Sequence, residues 1–366
     1  MRRAAAVAFL ALLFSACRDE RLTPALPPGY HVDTYAQRPA PAVDVLWVVD
    51  DSGSMAPRQE SLARNFQAFI ALFLQGQVDF RMGVATTDIF TRPGELVGEP
   101  RVLAPDTPEL ERAFADSVRV GTGGSAYEAG LEAARRVLER LAQENAPVLE
   151  ARGACEAGCG SEACREGCAA AHPVAFLRPG AWLYLAFVTD EDDRSPHDVR
   201  RYWRAFEQAK GIGNDGTVMA SAIIGDVPAN GCGAEPGRRY AELVALTGGE
   251  VGSICDADFA DTLRSLATSA VGLRRTFALE RTPKPDTLRV RVRYPCGASP
   301  EACESVAREA CEGQPAEALD AICTPVAGGP DGWTYAADRR VVYFAGDSVP
   351  GLGSRVELEY VAEDAP

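Results

Sequence analysis

Three oxygen-bearing side chains alternate along a short loop and could together bind a metal ion. Asp50, Ser52 and Ser54 follow residues 45–49, an apolar and mostly β-branched run that predicts a strand buried on both faces. Alternation points the three side chains the same way, and Gly53 lets the backbone turn sharply between them. Hard oxygen ligands at the carboxyl end of a strand suit an octahedral divalent cation such as Mg²⁺. The alternative is an ordinary strand-to-helix turn whose serines cap the helix.

A glycine-rich loop over residues 121–131 carries two more hydroxyl groups. Its glycines free the backbone, Thr122 and Ser125 supply oxygen, and a helix is predicted directly after Ser125. Taken alone, this loop has the pattern of a glycine-rich helix start with capping hydroxyls.

A third loop ends another buried strand, predicted over residues 183–188. Asp190 lies at the end of this strand, and the residues after it make the loop unusually acidic. Asp192 and Asp193 are candidates for binding a second cation such as Ca²⁺. The alternative is that they are solvated carboxylates at the start of a helix.

In this order, the three loops resemble the metal-ion-dependent adhesion site of the von Willebrand factor A domain family. The first loop matches the Asp-x-Ser-x-Ser motif of that site. The family's second loop has Gly-Gly-Thr with a leucine six positions later; here Ser125 replaces the threonine and Leu131 keeps the spacing. Asp190 resembles the aspartate of the third loop. The resemblance spans residues 43–273.

The resemblance implies a role for each of these residues. Direct ligands would be Ser52, Ser54 and Ser125, whereas Asp50 and Asp190 would hold the cation mostly through water. Thr122 is the alternative to Ser125. The expected cation is Mg²⁺, with Mn²⁺ or Ca²⁺ as alternatives.

Such a ligand set implies a binding function. Serines and water-linked aspartates leave a cation with residual positive charge and an open position that takes a carboxylate oxygen. We therefore expect a metal-dependent protein-binding protein, for adhesion or assembly, that engages an Asp or Glu of its partner. One alternative is a structural envelope protein whose cation only stabilises the loops. Another is an enzyme or metal-handling accessory.

Composition and motifs argue against other functions. The formal net charge of −15 disfavours nucleic acid as a partner, because phosphate binding needs a basic surface. His31, His172 and His197 lie in no metalloprotease pattern, and Ser52 and Ser54 lack the context of an elbow nucleophile. We expect neither catalysis nor a small-molecule substrate.

The first residues have the pattern of an export signal. Arg2 and Arg3 precede an apolar run over residues 4–14 that is too short to span a bilayer. Residues 13–17, Leu-Phe-Ser-Ala-Cys, resemble a bacterial lipoprotein cleavage site. Residues 1–17 would then be the signal peptide and Cys17 the lipidated anchor to a membrane of the cell envelope, facing the periplasm or the cell surface. Plain secretion is the alternative.

The ten remaining cysteines fall into three local groups, and an exported chain favours disulfides. In the first group, two helices joined near Gly160 would pair the cysteines as a hairpin; a zinc site is the alternative. The predicted disulfides are Cys155–Cys168, Cys159–Cys164, Cys232–Cys255 and two within Cys296, Cys303, Cys311 and Cys323.

Hydrophobic periodicity divides the rest of the chain. After a Pro-rich tether over residues 18–41, alternating strands and helices over residues 42–273 predict a doubly wound, mostly parallel α/β sheet of the Rossmann-like type. Residues 145–179 interrupt this alternation with the cysteine-rich helical hairpin. Residues 274–366 predict a small antiparallel β domain. Its insert, residues 296–323, carries predicted short helices over residues 302–312 and 315–322.

Overall fold

The computed structural model describes most of the chain, with gaps. The described residues are 28–37, 40, 42–211, 217–229, 231–294, 316–318, 322–329, 332–337, 340–345, 348–351 and 353–363. The predicted signal peptide with Cys17 lies outside them, as do Cys296, Cys303 and Cys311. Cys323 lies inside them, where it is buried and disulfide-bonded.

Strands and helices alternate through the middle of the chain, and strands dominate after it. The strands are β1 (Tyr30–Ala36), β2 (Ala42–Val49), β3 (Asp79–Thr86), β4 (Trp182–Val188), β5 (Val218–Ile224), β6 (Val251–Ser253), β7 (Thr276–Ala278), β8 (Arg289–Arg293), β9 (Ala316–Ala318), β10 (Ile322–Cys323), β11 (Trp333–Ala336), β12 (Val341–Phe344) and β13 (Arg355–Val361). The helices are α1 (Ala56–Gln75), α2 (Leu110–Val118), α3 (Gly130–Glu156), α4 (Glu162–Ala171), α5 (Val199–Lys210), α6 (Arg238–Thr247) and α7 (Ala260–Ala270).

A five-stranded parallel sheet in the order β3-β2-β4-β5-β6 forms the centre of the protein. Side chains of β2 alternate between its two faces. Val45 and Trp47 lie in a core with α1, α2 and α7, whereas Leu46 and Val48 lie in a second core with α3, α5 and α6. Because both faces are covered, β2 is apolar at nearly every position. This arrangement confirms the predicted parallel α/β sheet.

The order of the strands reverses at β2. Helix α1 connects β2 to β3 on one side, and the chain then returns through α2, α3 and α4 to β4 on the other side. The carboxyl ends of β2 and β4 therefore lie at a topological switch point, where open α/β sheets commonly bind ligands.

Helices α3 and α4 carry the cysteine-bearing hairpin. The structure contains the disulfides Cys155–Cys168 and Cys159–Cys164, and also Cys232–Cys255, all of them pairs that the spacing predicts. Because these sulfurs are in disulfides, they cannot serve as the thiolate ligands of a zinc site, which was the alternative for the hairpin. The first helix of the hairpin is not a separate element, because α3 continues for 27 residues through Pro147 and into the hairpin.

Two antiparallel sheets follow, as the sequence predicts: β1-β13-β8-β10-β9 and β11-β12-β7. One prediction here is wrong. The sequence predicts a short helix over residues 315–322, but β9 and β10 lie in this segment. Ile322 and Cys323 pair with Arg293 and Val292 of β8, so a distant strand overrides the local preference.

The predicted tether also differs from the structure. Residues 30–36, within the predicted tether of residues 18–41, form β1 and pair antiparallel with β13. Asp33 is buried in this pairing and accepts a hydrogen bond of 2.8 Å from the hydroxyl of Tyr360. Among the described residues β1 is an edge strand that pairs only with β13, and edge strands tolerate the polar residues that suggest a linker.

A buried ion pair lies at the amino end of the central sheet. Asp44 of β2 is fully buried, and its carboxylate accepts hydrogen bonds from Nε and the backbone N–H of Arg178 at 2.8 and 2.6 Å. Arg178 also contacts Asp79 at 2.6 Å, and its carbonyl accepts a bond of 2.7 Å from Lys210 Nζ. One arginine thus connects β2, β3 and the end of α5.

We predict that Arg178→Ala lowers the free energy of unfolding by about 3–5 kcal/mol, because it leaves the Asp44 carboxylate buried without its counter-charge. The control is Arg165→Ala, whose exposed ion pair with Glu162 is worth at most about 1 kcal/mol. Urea denaturation followed by circular dichroism measures both. Equal losses in the two variants would contradict the role of Arg178.

Candidate metal-binding site

The first and third loops meet because β2 and β4 are parallel neighbours. The backbone N–H of Asp50 donates to the carbonyl of Val188 at 2.9 Å, so the ends of the two strands lie in register. Thr189 Oγ1 donates to Asp50 Oδ2 at 2.6 Å, and the N–H of Ser52 donates to Asp50 Oδ1 at 2.7 Å. The Asp50 side chain is therefore fixed from both loops at the floor of the site.

Hydrogen bonds join four of the five predicted ligands. Ser52 Oγ lies 3.2 Å from Ser54 Oγ, and Ser54 Oγ donates to Asp190 Oδ1 at 3.0 Å. Asp50 and Ser52 are buried, Asp190 is half-buried and Ser54 is exposed. The set forms a group of oxygens that is closed below and open to solvent above.

The glycine-rich loop lies against the first loop. Gln59 Nε2 donates to the carbonyls of Asp50 and Gly121, at 2.9 and 2.8 Å, and the N–H of Gly124 donates to the carbonyl of Asp51 at 2.9 Å. A Cβ at position 124 would clash with the carboxyl group of Asp51, so this close approach needs glycine.

Ser125, the fifth predicted ligand, makes hydrogen bonds outside the four-residue group. Its N–H donates to Asp88 Oδ2 at 3.3 Å, and its Oγ accepts from the N–H of Tyr127 at 3.0 Å. Ser125 is half-buried, whereas Thr122 is exposed. The choice between them as the fifth ligand stays open.

Asp192 and Asp193, the predicted second cation site, bind protein groups. Asp193 is buried, forms an ion pair of 2.9 Å with Arg239, and accepts bonds from Leu131 N and Ser195 Oγ at 3.1 and 2.7 Å. Asp192 Oδ1 accepts from the N–H groups of Asp193 and Arg239 at 2.9 and 3.0 Å. These carboxylates join the third loop to α3 and α6, so the arrangement gives no support to a second cation there.

Two acidic residues outside the predicted ligand set lie beside the site. Asp51 and Glu128 are buried, and Asp51 Oδ1 and Glu128 Oε1 have no hydrogen-bond partner among the described residues. Glu128 Oε2 accepts a hydrogen bond from Thr87 Oγ1. The sequence pattern does not identify Glu128 as a residue of the site, because its burial depends on how the glycine-rich loop packs against β3.

Burial without a counter-charge shifts the acid equilibria of these groups. Burial, followed by the nearby charge of Asp88, raises the pKa of Asp51 to about 6. Burial, followed by the charge of Asp50, raises the pKa of Glu128 to about 8. Burial also raises the pKa of Asp50, against the hydrogen bonds from Thr189 and Ser52 that lower it.

The donor chemistry fits a hard divalent cation. Carboxylates and hydroxyls are the oxygen ligands that Mg²⁺ and Ca²⁺ prefer, and Asp51 Oδ1 and Glu128 Oε1 are further oxygens beside them without a hydrogen-bond partner among the described residues. The described part of the chain holds a tighter group of potential ligands in Cys159, Cys164 and Cys168, but these sulfurs are in disulfides. The oxygen group is therefore the candidate site.

Comparison with known proteins assigns no family. The chain matches no protein-family model and no curated protein sequence. Similar solved structures include the pilus adhesin SpaC from Lactobacillus rhamnosus GG, with TM-score 0.38 and 11% identity over 91% of this chain and 42% of the adhesin. Another is proximal thread matrix protein 1 from the mussel byssus, with TM-score 0.34 and 11% identity over 68% of this chain and 52% of that protein.

These similarities support no conclusion about function, because their TM-scores and identities are low, and the chain spans less than half of the adhesin. The resemblance to the von Willebrand factor A family therefore depends on the motif residues. Within the described ranges, no helix is both long enough and apolar enough to cross a bilayer.

We predict that the stability of the metal-free protein falls as pH rises from about 4.5 to about 8, because Glu128 keeps its proton over this range only when the chain is folded. Each retained proton contributes a slope of at most about 1.4 kcal/mol per pH unit. Glu128→Gln should flatten the slope and stabilise the metal-free protein at the alkaline end. Urea titrations in the presence of a chelator measure this.

The matched control is Glu111→Gln, at an exposed position of α2, which should keep the parental slope. If Glu128→Gln also keeps that slope, the Glu128 carboxyl does not retain its proton on folding.

Proposed function

We propose that this protein binds a protein partner through a divalent cation held at the carboxyl ends of β2 and β4. The observation that carries the proposal is the hydrogen-bonded group of two carboxylates and two hydroxyls, Asp50, Ser52, Ser54 and Asp190. Mg²⁺ is the expected cation, with Mn²⁺ or Ca²⁺ as alternatives, because the donors are all hard oxygens.

The residues that would hold the cation are Asp50, Ser52, Ser54, Asp190 and either Ser125 or Thr122. When bound, the cation supplies a position for a carboxylate oxygen, which an Asp or Glu of the partner would fill. The chain's own contribution is to fix the oxygens. Asp50 is positioned by Thr189 and by the backbone of Ser52, so little ordering is needed on binding.

Exposure favours a macromolecular partner. Ser54 is exposed and Asp190 is half-buried, so the oxygen group is reached from the surface of the protein. The loops are also held by protein hydrogen bonds, through Gln59 and Asp88. This favours a binding role over the alternative in which the cation serves only to hold the loops together. The proposal assigns no catalytic step.

Lipidation at Cys17, the sequence prediction, would anchor the protein in the bacterial cell envelope, in the periplasm or at the cell surface. The cation site would then engage an acidic residue of another envelope or surface protein, in adhesion or assembly.

We predict that Mg²⁺ binds the purified protein at one site, and that Asp50→Asn and Ser54→Ala each weaken this binding by at least about tenfold. Isothermal titration calorimetry measures the affinity, and circular dichroism checks the fold. The control is Asp261→Asn, which removes a carboxylate that is 97% exposed on α7 and should leave Mg²⁺ binding unchanged. No Mg²⁺ binding to the parent protein would overturn the proposal.

We predict further that Ser125→Ala weakens Mg²⁺ binding by at least about tenfold, whereas Thr122→Ala does not. Ser125 is favoured because it has the spacing of the resembled motif and is less exposed than Thr122. The same calorimetric titration measures both variants. The opposite result would assign the fifth ligand to Thr122.

A further inference from the structure

Two aromatic side chains that lie in contact are exposed beside the candidate site. Phe90 is 63% exposed, the largest exposed fraction among the large hydrophobic residues described, and Tyr127 is 39% exposed. Their ring centroids lie 5.9 Å apart at an interplanar angle of 59°. Neighbouring exposed rings leave apolar area in water that the binding of a further molecule would cover. We refer to Phe90 and Tyr127 as the aromatic pair.

Hydrogen bonds fix the aromatic pair to the loops of the site. Asp88 accepts from the N–H of Phe90 through Oδ1, at 2.7 Å, and from the N–H of Ser125 through Oδ2, at 3.3 Å. Ser125 Oγ in turn accepts from the N–H of Tyr127. One carboxylate and one hydroxyl therefore connect both aromatic residues to the predicted fifth ligand.

The third loop holds Tyr127 from the other side. Its hydroxyl donates to the carbonyl of Arg194 at 2.6 Å, four residues after Asp190. The ring is thus supported at both its backbone and its hydroxyl while its face stays exposed. A partner would find this surface already ordered, which lowers the entropic cost of binding.

The charge around the pair limits which partner fits. Asp50, Asp51 and Glu191 place three acidic groups close to Glu128, and their charges raise the pKa of Glu128 in addition to its burial. A partner segment with several carboxylates would be repelled. A segment with one carboxylate could bind the cation without this repulsion, and a neighbouring uncharged apolar side chain could contact the aromatic pair. Such a segment therefore fits both the oxygen group and the aromatic pair.

We propose that the aromatic pair is part of the partner-binding surface and selects segments in which one Asp or Glu lies within about three residues of an aromatic or large aliphatic residue. This proposal depends on the proposed function, because the cation fixes the acidic residue and the aromatic pair contacts its apolar neighbour. The pair therefore determines specificity, whereas the oxygen group provides the anchoring contact.

The test is selection from a random-sequence peptide library displayed on phage, with the purified protein as bait in the presence of Mg²⁺ or of a chelator. We expect Mg²⁺-dependent enrichment of peptides with one acidic residue and a nearby apolar one. With Phe90→Ser as bait, the acidic residue should persist and the apolar preference should be lost. The best synthetic peptide should bind this variant about tenfold or more weakly than the parent.

The matched control is Tyr343→Ser, which removes an aromatic residue of β12 that is 38% exposed and belongs to the C-terminal sheets. It should select the same peptides as the parent. Because Phe90 is mostly exposed, its replacement leaves both hydrophobic cores unchanged.

The outcomes separate the two proposals. Mg²⁺-dependent enrichment of acidic residues with no apolar neighbour, or an apolar preference that persists in Phe90→Ser, overturns the role of the aromatic pair and leaves the proposed function standing. Absence of any Mg²⁺-dependent acidic enrichment overturns both.

Discussion

Asp50 is buried where two parallel strands end side by side, and much of the site follows from the need to accommodate its charge there. A buried carboxylate is costly unless donors surround it. Thr189 Oγ1 and the N–H of Ser52 supply these donors, and the Asp50 N–H donates to the carbonyl of Val188, so the first loop is fixed against the third. Gln59, which binds the Asp50 carbonyl, brings in the glycine-rich loop. The side chain and the backbone of Asp50 together thus connect three loops.

Five of the buried carboxylates fall into two groups. Asp44 and Asp193 are each neutralised by an arginine, Arg178 and Arg239, and these pairs join structural elements. Asp50, Asp51 and Glu128 have no such partner among the described residues. The difference in charge balance separates carboxylates that hold the fold together from those that remain available to an external cation.

Much of the fold could be predicted from local pattern. The apolar runs of β2 and β4 predict buried strands because both faces of the sheet are covered. Cysteines close in sequence predict their pairing in the α3–α4 hairpin. Local pattern does not reveal pairings over long separations: β1 pairs with β13, more than three hundred residues later, and β10 pairs with β8.

In the candidate site too, residues set by local pattern can be predicted from the sequence, whereas residues set by distant contacts cannot. Asp50, Ser52 and Ser54 are recognisable because one loop sets their spacing, and Asp190 because a strand end places it. Asp51 and Glu128 could not be selected, because their burial depends on the approach of Gly124 and on a hydrogen bond from Thr87. Likewise, the local pattern at Asp192 and Asp193 suggests a second cation because it does not show that Arg239, distant in sequence, forms an ion pair with Asp193.

The pairing of β1 with β13 has a mechanical consequence. If Cys17 anchors the protein to a membrane, tension between that anchor and a partner held at Asp50 would run through β1 and then directly into β2. Seven residues of β1 are paired with residues of β13. A pull along the strand would load the hydrogen bonds between the two strands all at once and not one after another. The C-terminal sheet would then hold β1 from the side. The force would pass into the central sheet through β2, and it would not stretch the hairpin or the outer helices.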